Sequence, residues 1–238
     1  MTKKNLRLKF RSLIRICFIG LAVQIAGSGS AGAQSTQTTG SQQPPLMDQE
    51  KEIVLALSAC PPSVASKAAV YVLNTDGYIK VRDSQNGFTA IVQHALPSSQ
   101  EPQCMDTEGT RTHLPRILKV PELRAQGKSR DEITRFVAEA FAKGVFQAPT
   151  RPGVDYMLST ENVVAVDEEK GTVAPFPPHV MFYGPYLTNA DLGSDGNPGG
   201  LAFVANEGSP HASLSSPSAR TRVQAMPRPT HAPAVHSN

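Results

Sequence analysis

The sequence predicts an α+β fold in a single domain, a mostly antiparallel sheet with two or three helices packed on it. The stretch SRDEITRFVAEAFAKG opens on a capping box formed by Ser129 and Glu132, and Ile133, Phe136, Val137, Ala140 and Phe141 recur at helical spacing behind it. Elsewhere, short β-branched and aromatic runs are divided by turn dipeptides, Asp76-Gly77 and Asn86-Gly87 among them. Helices at the beginning and middle, with strands around them, fit a sheet covered by helices on one face. The 129–143 helix argues against the alternative, an all-β sandwich.

The N-terminus reads as a secretory signal peptide over residues 1–33. Lys3, Lys4, Arg7, Lys9, Arg11 and Arg15 precede an apolar run from Ile16 to Ala26, and Ala31 and Ala33 supply the small-x-small pattern of a cleavage site. The run is too short to span a bilayer as a mature helix, so no mature membrane span is expected; an uncleaved anchor is the alternative. Export places the domain in the periplasm or outside the cell. Residues 34–46, QSTQTTGSQQPPL, form a flexible leader. A globular domain over 47–207 follows, and 208–238, rich in Ser, Pro, Ala, Arg and His, reads as a disordered tail.

Removing the signal reverses the charge balance. The whole chain carries 23 basic and 20 acidic residues, and without the six basic residues of the signal 17 basic residues remain. Three of those, Arg220, Arg222 and Arg228, lie in the tail, so the folded part is mildly acidic. This excludes nucleic acid as a partner, because a nucleic-acid binder keeps a basic face on its folded part.

Of the three cysteines, Cys17 falls in the signal, leaving Cys60 and Cys104. An even pair in an oxidising compartment is expected to form a disulfide, worth roughly 4 kcal/mol for a loop of about 45 residues. Two separate buried thiols are the alternative.

Along the domain, a helix is predicted over 49–59, with Asp48 as its N-cap, Ile53, Val54 and Leu57 on one side, and Pro61 and Pro62 as its stop. Strands over 69–73, 78–82 and 88–93 read as a meander. Between Pro97 and Val120, Pro97, Pro102, Gly109 and Pro115 interrupt any regular element. The polar set there, Cys104, Asp106, Glu108 and His113, reads as a disulfide-pinned loop with solvated charges and not as metal ligands, since no zinc spacing fits it. A short turn from Pro121 to Gln126 precedes the 129–143 helix. GVDYMLST and NVVAV then suggest an antiparallel pair, Glu168 to Gly171 a turn, and HVMFY and LAFVAN further strands, the last at about 201–206.

Pro177 to Gly193, PPHVMFYGPYLTNADLG, concentrates chemistry-bearing residues around an apolar run. Strand alternation sends His179, Met181 and Tyr183 to one face and Val180 and Phe182 to the other. The following loop carries Tyr186, Asn189, Asp191, Asp195 and Asn197. His179, Tyr183, Tyr186, Asn189 and Asp191 are therefore the candidate ligand-binding residues, and the imidazole, phenol and carboxylate of His179, Tyr183 and Asp191 form a set suited to acid/base work. The Asp191, Asp195, Gly196 and Asn197 set lacks the bidentate Glu of an EF-hand. H-E-x-x-H and, in the mature chain, G-x-S-x-G are absent, and a zinc site from His113, His179 and His211 would need tertiary convergence. No metal and no cofactor is expected.

The combination LALSACPPSVASKAAVYVL, NGFTAIVQ, QCMDTEG and PPHVMFYGPYLTNADLG resembles a family of uncharacterised exported bacterial proteins, over most of residues 50–210. The resemblance implies a bacterial secreted domain and supplies no activity, cofactor or catalytic residue. It also implies a Cys where this chain has Ala90, a departure that leaves the partner of Cys104 open.

Together these features predict an exported domain that binds a small polar or amphipathic ligand at the Pro177–Gly193 face. A hydrolytic or acid/base enzyme using His179, Tyr183 and Asp191 is the second expectation, and a module that pairs with another envelope protein is the third.

Overall fold

A computed structural model describes residues 43–167, 170–197 and 202–217. The expected signal peptide (1–33), residues 34–42 of the leader and residues 218–238 of the expected tail lie outside the described residues.

Five helices and ten strands form among these residues: α1 (Gln49–Ser58), α2 (Pro62–Ala65), β1 (Ala69–Asn74), β2 (Gly77–Arg82), β3 (Thr89–Gln93), β4 (Glu101–Met105), α3 (Thr107–Thr112), α4 (Leu114–Ala125), α5 (Arg130–Ala142), β5 (Val154–Met157), β6 (Val163–Asp167), β7 (Thr172–Pro175), β8 (His179–Tyr183), β9 (Phe203–Ala205) and β10 (Ser213–Pro217). Eight strands make one sheet in the order β2-β1-β3-β4-β5-β8-β10-β9, and β6 and β7 make a separate hairpin. Every pairing is antiparallel except β1 with β3. The α+β class therefore stands, with all described residues in one compact unit.

Strand alternation divides the core into two layers. Val70 and Val72 of β1, Ala90 and Val92 of β3 and Cys104 of β4 pack beneath Leu55, Ala56 and Ala59 of α1. Ile91 and Met105, one residue out of phase, pack against Leu114 and Ile117 of α4 on the opposite face. Helices thus cover both faces, where the sequence suggested one. The predicted side of α1 is also displaced: Val54 is 69% exposed, and Glu52, Leu55, Ala56 and Ala59 are buried instead.

The meander is replaced by a crossover. β1 and β2 form a hairpin through Thr75 and Asp76, with Gly77 at φ 123° and Asp76 N–H donating to Asn74 Oδ1 at 2.9 Å. Segment 83–88 then passes back over the start of β1: Gln85 N–H donates to the Lys67 carbonyl, and Asn86 Nδ2 donates to that of Val64. β3 consequently enters on the far side of β1 and parallel to it. Asn86-Gly87 serves this crossing and not a hairpin.

Residues 97–120, read from the sequence as an irregular loop, hold β4, α3 and most of α4. Three of the four interrupting residues have a place in these elements. Pro102 pairs with Val92 of β3, while β5 meets β4 only at Cys104 and Met105, so the missing N–H falls where no partner strand needs it. Pro115 lies in the first turn of α4, where a helix has no use for that donor. Gly109 lies inside α3 because a Cβ there would overlap the Tyr183 hydroxyl and stand 2.9 Å from Met105 Cβ. The expected 121–126 turn is the last part of α4, which runs through Pro121.

β5 and β6 are not partners: β5 joins β4 to β8, whereas β6 pairs with β7. The domain limits move outward at both ends. Pro44 is buried and Gln43 Nε2 donates to the Pro121 carbonyl at 3.2 Å. Ser213–Pro217, assigned from the sequence to a disordered tail, is an interior strand bonded to β8 on one side and β9 on the other. Ser213 and Ser215 are buried there, showing that a Ser-rich strand can be recruited by ladder hydrogen bonds without an apolar signature.

Cys60 and Cys104 form the disulfide, with Cα atoms 5.1 Å apart. It ties the turn after α1 to the centre of the sheet. Ala90 sits directly across from Cys104 in the β3–β4 register. A Cys at position 90 would therefore be a neighbour of Cys104, but in this chain the bridge reaches Cys60 in the turn after α1.

Candidate functional site

β8 places the predicted residues as alternation requires, His179 and Tyr183 inward and Phe182 outward. His179 is 4% exposed, and its Nδ1 lies 2.9 Å from the Pro177 carbonyl while its ring meets the edge of Phe176. Burial lowers its pKa, so the ring is neutral at physiological pH. Tyr183 donates its hydroxyl proton to the Val154 carbonyl at 3.1 Å, with its ring centroid 4.4 Å from that of His113. Burial raises its pKa far above the phenolic range, with Asp155 adding to the shift.

The loop residues are also engaged. Asp191 accepts from the Thr188 N–H at 2.8 Å and its hydroxyl at 2.6 Å, which lowers the carboxyl pKa. Asn189 donates through its backbone and side-chain nitrogens to Glu207, and its Oδ1 accepts from Val204 N–H. It fastens this loop to β9. Tyr186 stands apart: its backbone lies at φ 64°, a region few bulky residues adopt, its N–H donates to the Ser209 carbonyl at 2.8 Å, and its side chain is 62% exposed.

The five residues do not converge. His179 and Tyr183, four strand positions apart, are separated by roughly 13 Å. Asp191 is exposed in a loop turn. Among the described residues no hydrogen bond links the three. What meets Tyr183 is His113 and not His179, and the acid/base set is distributed over three local structures, each already satisfied.

The polar set of residues 104–113 is not solvated, as the sequence suggested, but largely buried. Glu108 is 3% exposed and accepts from Arg111 at 2.6 Å, Thr150 N–H at 2.8 Å and Arg151 at 3.1 Å. Burial opposes its ionisation, but these donors outweigh it and hold the carboxyl at about 2. Asp106 caps α3 through Gly109 N–H and also accepts from Val154 N–H. Asp155, which sequence reasoning missed, is buried beside them and accepts from Cys104 N–H at 3.1 Å. Burial pushes its carboxyl up to about 8, with Cys104 N–H opposing and Asp106 adding. Alternation in VDYM could have marked it as an inward-facing acid, since Asp155 shares the face of Met157.

Among the described residues no group of three His, Cys, Asp or Glu is arranged to hold a metal. Asp195 is turned onto Asn197 N–H. Of the three histidines considered for zinc, His113 and His211 do approach one another, in the company of Arg116, while His179 stays at the far end of β8.

No family model, no curated protein and no solved structure matches this chain.

Proposed function

We propose that this chain is an exported, disulfide-stabilised binding module, and that it recognises an amphipathic ligand through the outward-facing residues of Pro177–Gly193. The observation that carries the reading is the division of labour within that stretch. His179 and Tyr183 are turned inward with their polar groups used, whereas Phe182, Tyr186 and Leu192 are 48%, 62% and 39% exposed. An exposed aromatic held in the left-handed region is a strained arrangement of the kind concentrated at ligand-binding positions. Export is supported by the signal-like N-terminus and by the Cys60–Cys104 bridge.

A second reading, pairing with another protein of the cell envelope, draws on the same exposure, since large apolar groups turned outward suit a flat partner surface as well as a small molecule. Acid/base catalysis by His179, Tyr183 and Asp191 has less support because each is already hydrogen-bonded to a different partner, Pro177, Val154 and Thr188 respectively.

Titration with the amphipathic dye 1-anilinonaphthalene-8-sulfonate tests the proposal. Native protein should bind the dye, Phe182→Ser and Tyr186→Ser should each weaken binding about tenfold, and His179→Ala should leave it unchanged. Equal binding by wild type and both Ser variants would remove the proposed surface, and an enzymatic turnover lost in a folded His179→Ala variant would install the catalytic reading in its place.

A further inference from the structure

We propose that His113, Arg116 and His211 form a binding site for a small oxyanion, the carboxylate or phosphate group of a ligand, on the face of the sheet opposite Phe182. The proposal stands apart from the dye-binding surface.

Three elements bring these residues together. His113 sits at the junction of α3 and α4, Arg116 lies one helical turn further on, and His211 comes from the turn between β9 and β10. Tyr183 fixes the His113 ring from one side. Phe141 of α5 lies parallel to the His211 ring, 5° between planes and 5.4 Å between centroids. Neither imidazole is free to turn without breaking an aromatic contact.

What distinguishes the cluster is its hydrogen bonding. His113 Nε2, Arg116 Nε and His211 Nδ1 are all buried, and none has a hydrogen-bond partner among the described residues. His113 as a whole is 6% exposed. Buried polar groups are almost always satisfied, and a guanidinium has only donors to offer. The three residues lie close enough for each to feel another's charge, and a single acceptor-rich group placed among them would answer all three nitrogens.

Charge decides between an anion and a trapped water. The carboxylate that faces Arg116 is Glu101, yet the two make no ion pair among the described residues; Glu101 is instead bonded by Ser99 and the Ala95 backbone. Glu108, the other acid near His113, is held by Arg111 and Arg151. Arg116 is thus a half-buried cation whose enclosed Nε has no close counter-charge, a demand that an oxyanion meets with charge as well as acceptors and a water with acceptors alone. Burial and the neighbouring Arg116 both disfavour protonation of His113 and His211, so each ring carries one N–H to donate and the site binds as Arg⁺ with two neutral donors.

Thermal unfolding of the full oxidised chain, first unfolded and dialysed free of anions, provides the test. Sodium phosphate and sodium acetate would be compared with sodium chloride at matched ionic strength. A specific anion at a hundred times its Kd should raise the Tm by roughly 5–10 °C. A rise with phosphate names a phosphate group and a rise with acetate a carboxylate, and either should vanish in Arg116→Met. No rise beyond that of chloride, or an equal rise in Arg116→Met, would overturn the site. Should Arg116→Met fail to fold, ¹⁵N NMR of the wild-type histidine rings decides: the effective anion should shift the His113 and His211 ring nitrogens and leave His179 unmoved, and unchanged His113 and His211 signals would sink the idea.

Discussion

Tyr183 shows how tightly single residues are constrained around the sheet centre. Its ring occupies space that any side chain at Gly109 or Gly153 would fill, and its hydroxyl reaches the Val154 carbonyl. Gly109→Ala should therefore destabilise the domain by about 1–3 kcal/mol through overpacking, measured by urea unfolding. Because the overlap is with the hydroxyl, adding Tyr183→Phe should recover part of that loss; strictly additive losses would show that the overlap is not its source. Asp155 makes a different kind of demand. Its folded pKa, about 8, lies above the ordinary carboxyl value, so its contribution is fully present below about pH 4 and disappears as pH rises to about 8. The associated slope is at most about 1.4 kcal/mol per pH unit. Asp155→Asn, which keeps an acceptor for Cys104 N–H, should flatten the stability profile between pH 4 and 8. His113 and His211 act in the opposite sense, since both are held at about 3 by burial and Arg116, so acidification from about 6.5 towards 3 favours the unfolded chain.

At the scale of elements, sequence signals worked where a local rule was sufficient. Asp48 and Ser129 cap helices at the expected positions, and the Ser129–Glu132 box is present with both of its hydrogen bonds. β8 spans His179–Tyr183 with the predicted alternation. Failure came where tertiary pairing decided the outcome. β4 carries Pro102, α3 is short and glycine-containing, and β10 is the serine-rich SLSSP, so none advertises itself by propensity. β10 is nevertheless bonded on both sides, which makes a sharp prediction possible. Ser215→Pro, at a buried position opposite both Met181 and Phe203, should cost about 3 kcal/mol or more, whereas a true tail residue would tolerate it. Circular dichroism melting of the two proteins separates these outcomes.

For the whole molecule, the sequence conveyed the α+β class and the disulfide but not the arrangement of layers. An amphipathic pattern reveals that a helix has a buried side without saying which sheet face receives it, and α1 and α4 took opposite faces. The candidate site was legible as a list of residue types and misleading as a constellation, because alternation identifies which side chains share a face and says little of their separation along it. His179 and Tyr183 share a face and remain distant, while Tyr183 and His113, far apart in sequence, touch. The Cys60–Cys104 bridge spans the two halves of the first core layer, and replacing both cysteines by Ser should lower stability by about 3–4 kcal/mol, read from urea midpoints of the oxidised protein and the variant. The position of β10 bears on the order of events when such a chain emerges from a narrow exit. Until Ser213–Pro217 is clear, β8 keeps a bare row of amides and carbonyls and β9 has nothing to pair with, so one end of the sheet must wait on residues made more than a hundred positions after β1. Handing over the chain in an unfolded state costs that end of the sheet little, since it cannot close early.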